Sequence, residues 1–178
     1  NSKGEYDTYP LQMGDGKYKV SVYENISDNK YATKQTATLN VKLKDENAPF
    51  LAPNQYVNYV DSSDTIEKAK ELTEGKDNDF DKIDVIYDYV ISNITYDNEK
   101  AKTVKSGYLP SVDEILKSNK GICFDYASVM AAMLRSQEIP AKLVTGYSSN
   151  LNVFHAWNEV YTDETGWIKL NEMYFDGS

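Results

Sequence analysis

The sequence holds a single Cys, Cys123, and a single His, His155, and both are residue types that carry nucleophilic chemistry. Cys123 follows a break at Asn119–Gly121 and opens the segment Cys123–Gln137, which contains Ala127, Val129, Met130, Ala131, Met133 and Leu134. The pattern predicts a helix that is apolar on most sides and therefore buried. At a helix start the backbone N–H groups are unpaired and the dipole is positive, which favours a thiolate, the nucleophilic form of Cys. His155 lies between Phe154 and Ala156 in a predicted strand. An imidazole within reach of a thiol can take its proton and later return one to a leaving group. The plain alternative is a small buried hydrophobe and a hydrogen-bonded structural His. The coincidence favours chemistry, because the one Cys opens the most buried helix and the one His sits on a strand that can pack against it. As a pair, each would stabilise the other's charge, lowering the thiol pKa and raising that of the imidazole.

The remaining elements are read as what positions these two. Residues 1–50 read as β: Lys17–Tyr23 puts Tyr18, Val20 and Val22 on one face, and Thr36–Lys44 does the same with Ala37, Leu39, Val41 and Leu43. That is period-two alternation, with a turn over Asn25–Lys30. Two or three strands cannot hold a core alone, so they are expected to pack on something. Residues 51–62 form a connector. Asp64 and Glu67 have capping-box spacing ahead of Ile66, Ala69 and Leu72, and Phe80, Ile83, Ile86, Tyr87, Val90 and Ile94 repeat at helical spacing. Residues 95–109 read as a loop, and a short helix is expected over Val112–Leu116. After Cys123–Gln137 come three strands, Ala141–Tyr147, Phe154–Tyr161 and Trp167–Phe175. Helices followed by an antiparallel sheet make the fold class α+β.

Composition narrows the function. Lys and Arg number 19 against 28 Asp and Glu, a net charge of −9, and no basic run overrides it. Such a chain repels phosphate backbones, so nucleic acid is disfavoured as a partner. The apolar stretches are far short of a membrane span. One Cys makes no internal disulfide, and one Cys with one His makes no zinc set. Tyr is abundant at 15 residues, and Asn, Asp, Ser and Thr are frequent, a polar and aromatic character that suggests a secreted or cell-surface bacterial protein. The first residue is Asn, so a processed chain is expected.

Three blocks then resemble a known family. Gly121-Ile122-Cys123-Phe124-Asp125-Tyr126-Ala127 is similar to the nucleophile motif of the transglutaminase-like superfamily. Ile139-Pro140-Ala141-Lys142-Leu143-Val144-Thr145-Gly146-Tyr147 resembles the segment that follows it, and His155-Ala156-Trp157-Asn158-Glu159-Val160-Tyr161 resembles the histidine strand. The resemblance covers roughly residues 64–178 and leaves out residues 1–50. It implies a papain-like α+β core over residues 63–178 with a small N-terminal β unit. It also implies Cys123 as nucleophile, His155 as base, and acyl transfer through a thioester to an amine or to water. No cofactor and no metal are implied. The implied partner is a protein or peptide substrate, in a cell-wall or surface setting, met by a monomer. A relative that keeps the fold as a binding or adhesion module without turnover is the rival reading.

A papain-type site needs a side-chain oxygen that holds the histidine tautomer. Asn171 is the candidate, sixteen residues past His155. If Tyr161 pairs with Trp167, Asn171 lies opposite Trp157 and diagonal to His155, about 7–8 Å away at Cα. The family's usual residue is Asp followed by Pro-Thr, whereas Glu172 and Met173 follow here. The alternative is that the chain is truncated before an Asp on a further strand. Weaker candidates are Trp157 as a wall over the cleft or a core residue, Asp125 as a dipole partner, the Asn93-Ile94-Thr95 sequon, and Tyr18, Tyr23 and Tyr31 as an aromatic strip or a small β core.

Overall fold

Period-two alternation in the first fifty residues becomes one long antiparallel hairpin, β1 (Gly16–Ser27) and β2 (Lys30–Val41). The computed structural model describes residues 9–147 and 154–170. Tyr18 stands opposite Leu39 and Val20 opposite Ala37, with register shifts after Val22 and Asn25. The turn is tighter than the expected Asn25–Lys30, because Asn25 still pairs with Tyr31 and Ser27 with Lys30. Asp28 takes a φ of 47°, a left-handed conformation that Asp tolerates, and its carbonyl accepts the Asn25 amide at 2.7 Å. Val20, Val22 and Leu39 are about half exposed, and Tyr23 and Tyr31 are 58% and 61% exposed, so these two tyrosines do not fill a core.

By its internal contacts the chain divides into Leu11–Pro49 and a second unit that runs from Phe50 onward. The second unit contains α1 (Asp64–Thr73), α2 (Asp79–Asn93), β3 (Thr95–Tyr96), α3 (Asn98–Thr103), α4 (Val112–Ser118), β4 (Lys120–Gly121), α5 (Cys123–Ser136), β5 (Ala141–Tyr147), β6 (Phe154–Thr162) and β7 (Gly166–Lys169). β5, β6 and β7 form an antiparallel sheet in that order, and β3 pairs with β4 in parallel. The architecture is α+β, as its order of elements implied.

Helix α5 is the axis of this unit. Every residue from Asp125 to Arg135 is buried. It packs against α1, α2 and α4 and against β5 and β6. Ile66, Ile86, Val90, Met133, Leu134 and Val160 fill the core around it. Arg135 closes its last turn from inside: the guanidinium donates twice to the Ala141 carbonyl, at 3.0 and 2.8 Å, and once to that of Ala52 at 2.7 Å. Burial pulls its pKa down to about 10, so it stays charged at neutral pH.

Two local expectations change. The first turn of α1 is not closed by a box of Asp64 and Glu67. Ser63 precedes the helix, and the Thr65 N–H is taken by the Asp113 carboxylate of α4 at 3.0 Å. The stretch 95–109 is not all loop, since it holds β3 and α3. Asp97 caps α3 by accepting the Lys100 N–H at 2.9 Å. Asn98–Thr103 is polar all round and carries no hydrophobic period, so nothing in its pattern marks a helix. The strand expected over Trp167–Phe175 appears as Gly166–Lys169, Leu170 follows it outside the ladder, and the expected residues from Asn171 on lie outside the described residues.

Candidate active site

The starts of α5 and β6 meet at a cavity of about 430 Å³. Cys123 and His155 both line it, together with Phe124, Ala156 and the wall segment from Ala101 to Tyr108. The sequence places Cys123 here because Gly121 ends β4, Ile122 is extended at φ −99° and ψ 174°, and helical backbone begins at the next residue. His155 is placed here by the pairing of β6. Gly146 stands opposite His155 on β5, and Tyr161 stands opposite Trp167 on β7, the register the sequence reading assumed.

Asn158 fixes β6 against the helix. It is buried, and its amide donates to the Ala127 carbonyl of α5 and to the Lys142 carbonyl of β5, both at 3.0 Å. Three residues from His155, it ties the sheet to the element that carries Cys123. Asn158→Leu is expected to remove a donor from the buried Ala127 carbonyl and the half-buried Lys142 carbonyl and to cost about 2–4 kcal/mol. A urea unfolding midpoint equal to that of the parent chain would show that Asn158 is not this tie.

The electrostatics of Cys123 run against a simple helix-start argument. Burial pushes the thiol above its ordinary range, and the N–H groups of Ala156 and Phe124, which act in the opposite direction, do not offset it. The Asp125 charge raises it further. The first turn does favour the thiolate, but the loss of water outweighs it. A resting thiolate is therefore not what this environment favours.

Asp125 turns out to be more than a dipole partner. Its side chain is fully buried and accepts from three donors: the Ile122 N–H at 2.8 Å, the Lys100 ammonium at 2.6 Å and the Tyr108 hydroxyl at 2.7 Å. The bond to Ile122 is the reach-back half of a capping box, legible from Asp125 as third residue of the helix. Lys100 and Tyr108 were missed, and no local signal could have found them, because they lie 25 and 17 residues away in a stretch without periodicity. Trp157 is not part of the cavity lining. Its ring lies beneath the Lys169 ammonium at 4.4 Å and beside Gly146. Among the described residues no group of three or more His, Cys, Asp and Glu gathers as it would round a metal ion. No described helix is long and apolar enough to cross a membrane. Asn171, the third expected member, lies outside the described residues.

A helix that begins with Cys, packed on an antiparallel sheet whose central strand carries a His as its second residue beside it, is the frame of papain-like proteins. The chain belongs to the transglutaminase-like superfamily, whose family model matches residues 66–172. It is 32% identical over 148 residues to the uncharacterized protein YebA of Bacillus subtilis, covering 72% of this chain and 20% of YebA. It is 32% identical over 74 residues to a protein-glutamine gamma-glutamyltransferase of Pseudomonas aeruginosa, covering 35% of this chain and 11% of that protein. Among solved structures, a protein of Cytophaga hutchinsonii proposed to be a cysteine protease superposes with a TM-score of 0.58 at 22% identity, covering 93% of this chain and 69% of the other. The periplasmic domain of TgpA from Pseudomonas aeruginosa superposes with a TM-score of 0.53 at 23% identity, covering 70% and 46%. The chain thus spans a fifth of the length of YebA and a ninth of that of the glutamyltransferase.

Proposed function

We propose that this chain performs thiol-dependent acyl transfer or hydrolysis on peptide or protein amides. The observation that carries the reading is that Cys123 and His155 line one cavity where α5 and β6 begin. Cys123 is the nucleophile. Its sulfur adds to the amide carbonyl while the thiol proton passes to His155. The C–N bond then breaks, the amine leaves with that proton, and a thioester remains on Cys123. Water or a second amine adds to the thioester, His155 takes its proton, and the thiol is restored. Because burial raises the thiol, the sulfur rests protonated and relies on His155 to take its proton. Asn171 is the proposed orienting group for the imidazole, and Asn171→Ala is the variant that reads it. The polar, Tyr-rich composition supports a secreted or surface-bound setting, with the hairpin unit as an attached module.

The second reading, a module that keeps the fold without turnover, is favoured by one observation, the raised thiol. Reactivity separates the two. Native Cys123 is expected to be alkylated by iodoacetamide near neutral pH, and His155→Ala is expected to lose this while remaining folded. A Cys123 that reacts only after unfolding would overturn the enzymatic reading.

A further inference from the structure

The first turn of α5 carries an arrangement that thiol chemistry does not by itself require. Two residues beyond Cys123, Asp125 places a fully buried carboxylate that raises the thiol. That carboxylate caps the helix, since it accepts the Ile122 N–H at 2.8 Å and so starts the helix where Cys123 is. An uncompensated anion there would oppose formation of a second anion on sulfur. The compensating charge comes from α3. The Lys100 ammonium lies 2.6 Å from Asp125, with its side chain 27% exposed, and it also donates to the Tyr108 hydroxyl at 2.7 Å. Lys100 and Tyr108 bracket the wall of the cavity, so one cluster joins the helix start to the opposite side of the site. Among the described residues, the titratable side chains facing Cys123 are Asp125 from its own helix, Tyr96 from β3, Lys105 and Tyr108 from the wall, and His155 from β6, with Lys100 behind Asp125.

We propose that Lys100 is a positioning residue of this site, its ammonium offsetting the buried Asp125 carboxylate so that the same group can anchor the helix and leave Cys123 able to act as nucleophile. This rests on the reading of Cys123 as the nucleophile. The test is the pH profile of Cys123 alkylation by iodoacetamide, a neutral reagent, in the full chain. Lys100→Met is expected to move the midpoint of the profile up by about one pH unit, about a tenfold slower reaction at neutral pH. Lys100→Gln keeps a donor to Asp125 without the charge and should move it in the same direction. Lys100→Met combined with Asp125→Asn removes both charges and should bring the rate back to within about threefold of the parent chain. A purely structural Lys100 would leave the midpoint in place in the single variants and make the double variant worse than either, which would overturn the assignment. Failure of both single variants to fold would make Lys100 a structural residue and overturn it equally. His155→Ala is run beside them: if that variant reacts as fast as the parent, the nucleophile reading fails instead, whatever Lys100 does.

Discussion

Cys123→Ala is expected to bring acyl transfer down to the rate seen without protein, because the atom that forms the thioester is gone. His155→Ala is expected to lower kcat/KM by about 10²–10⁴-fold, the usual contribution of a positioned acid–base group. Removing both should cost no more than removing Cys123 alone, since the two act as a unit. The pH dependence has a definite sign. Burial raises the thiol above its ordinary range, so at neutral pH the sulfur carries its proton and needs a base. The deficit of His155→Ala should therefore be largest at low pH and shrink as the pH rises, when the thiol ionises unaided. Measured with a chromogenic peptide amide between pH 6 and 10, an equal deficit at every pH would mean that His155 does not remove this proton.

A large structural effect is expected at Gly121→Ala. A Cβ at this position would stand 2.6 Å from the Asp125 Cβ, 3.1 Å from its Oδ2 and 3.3 Å from its Cγ. Both sides are restrained. Gly121 pairs with Tyr96 in the β3–β4 ladder, and its carbonyl accepts the Asp97 N–H at 2.9 Å, while Asp125 is held by three donors. Relief by moving the backbone or Asp125 is expected to cost about 3 kcal/mol, roughly 6–12 °C in Tm. Gly75→Ala is the control. Gly75 has a φ of +74° and open space around it, so its cost is conformational only, about 1–2 kcal/mol. Equal losses for the two would show that Gly121 is not required by close approach.

Much of this was legible from local pattern. The helix expected over Cys123–Gln137 is found over Cys123–Ser136, marked by residues that are apolar on nearly every side. Strand Ala141–Tyr147 is found over the range expected, and alternation with a Gly at the turn gives the Tyr161–Trp167 register. What was not legible depends on distant partners. Asp125 could be read as an acidic first-turn residue, but not as the meeting point of Lys100 and Tyr108. Thr65 could be read as a helix residue, but not as one whose N–H is taken by Asp113, 48 residues away. The thiol was misjudged for the same reason. Its helix position is local information, whereas its burial depends on β6 and the wall closing around it.

The division of burial across the cavity has a consequence for local stability. Cys123 is mounted on α5, buried from Asp125 to Arg135, so exposing that helix amounts to unfolding the whole unit. The facing wall is built differently: residues 101–107 are exposed, and α3 buries no side chain. Its link to the rest of the unit includes the bonds of Lys100 and Tyr108 to Asp125. Opening the wall therefore takes a sub-global fluctuation that costs a fraction of the global free energy. The cavity joins a rigid half, which carries Cys123, to a yielding half that is tied to it through Asp125, so a movement of the wall reaches the start of α5 by way of that carboxylate.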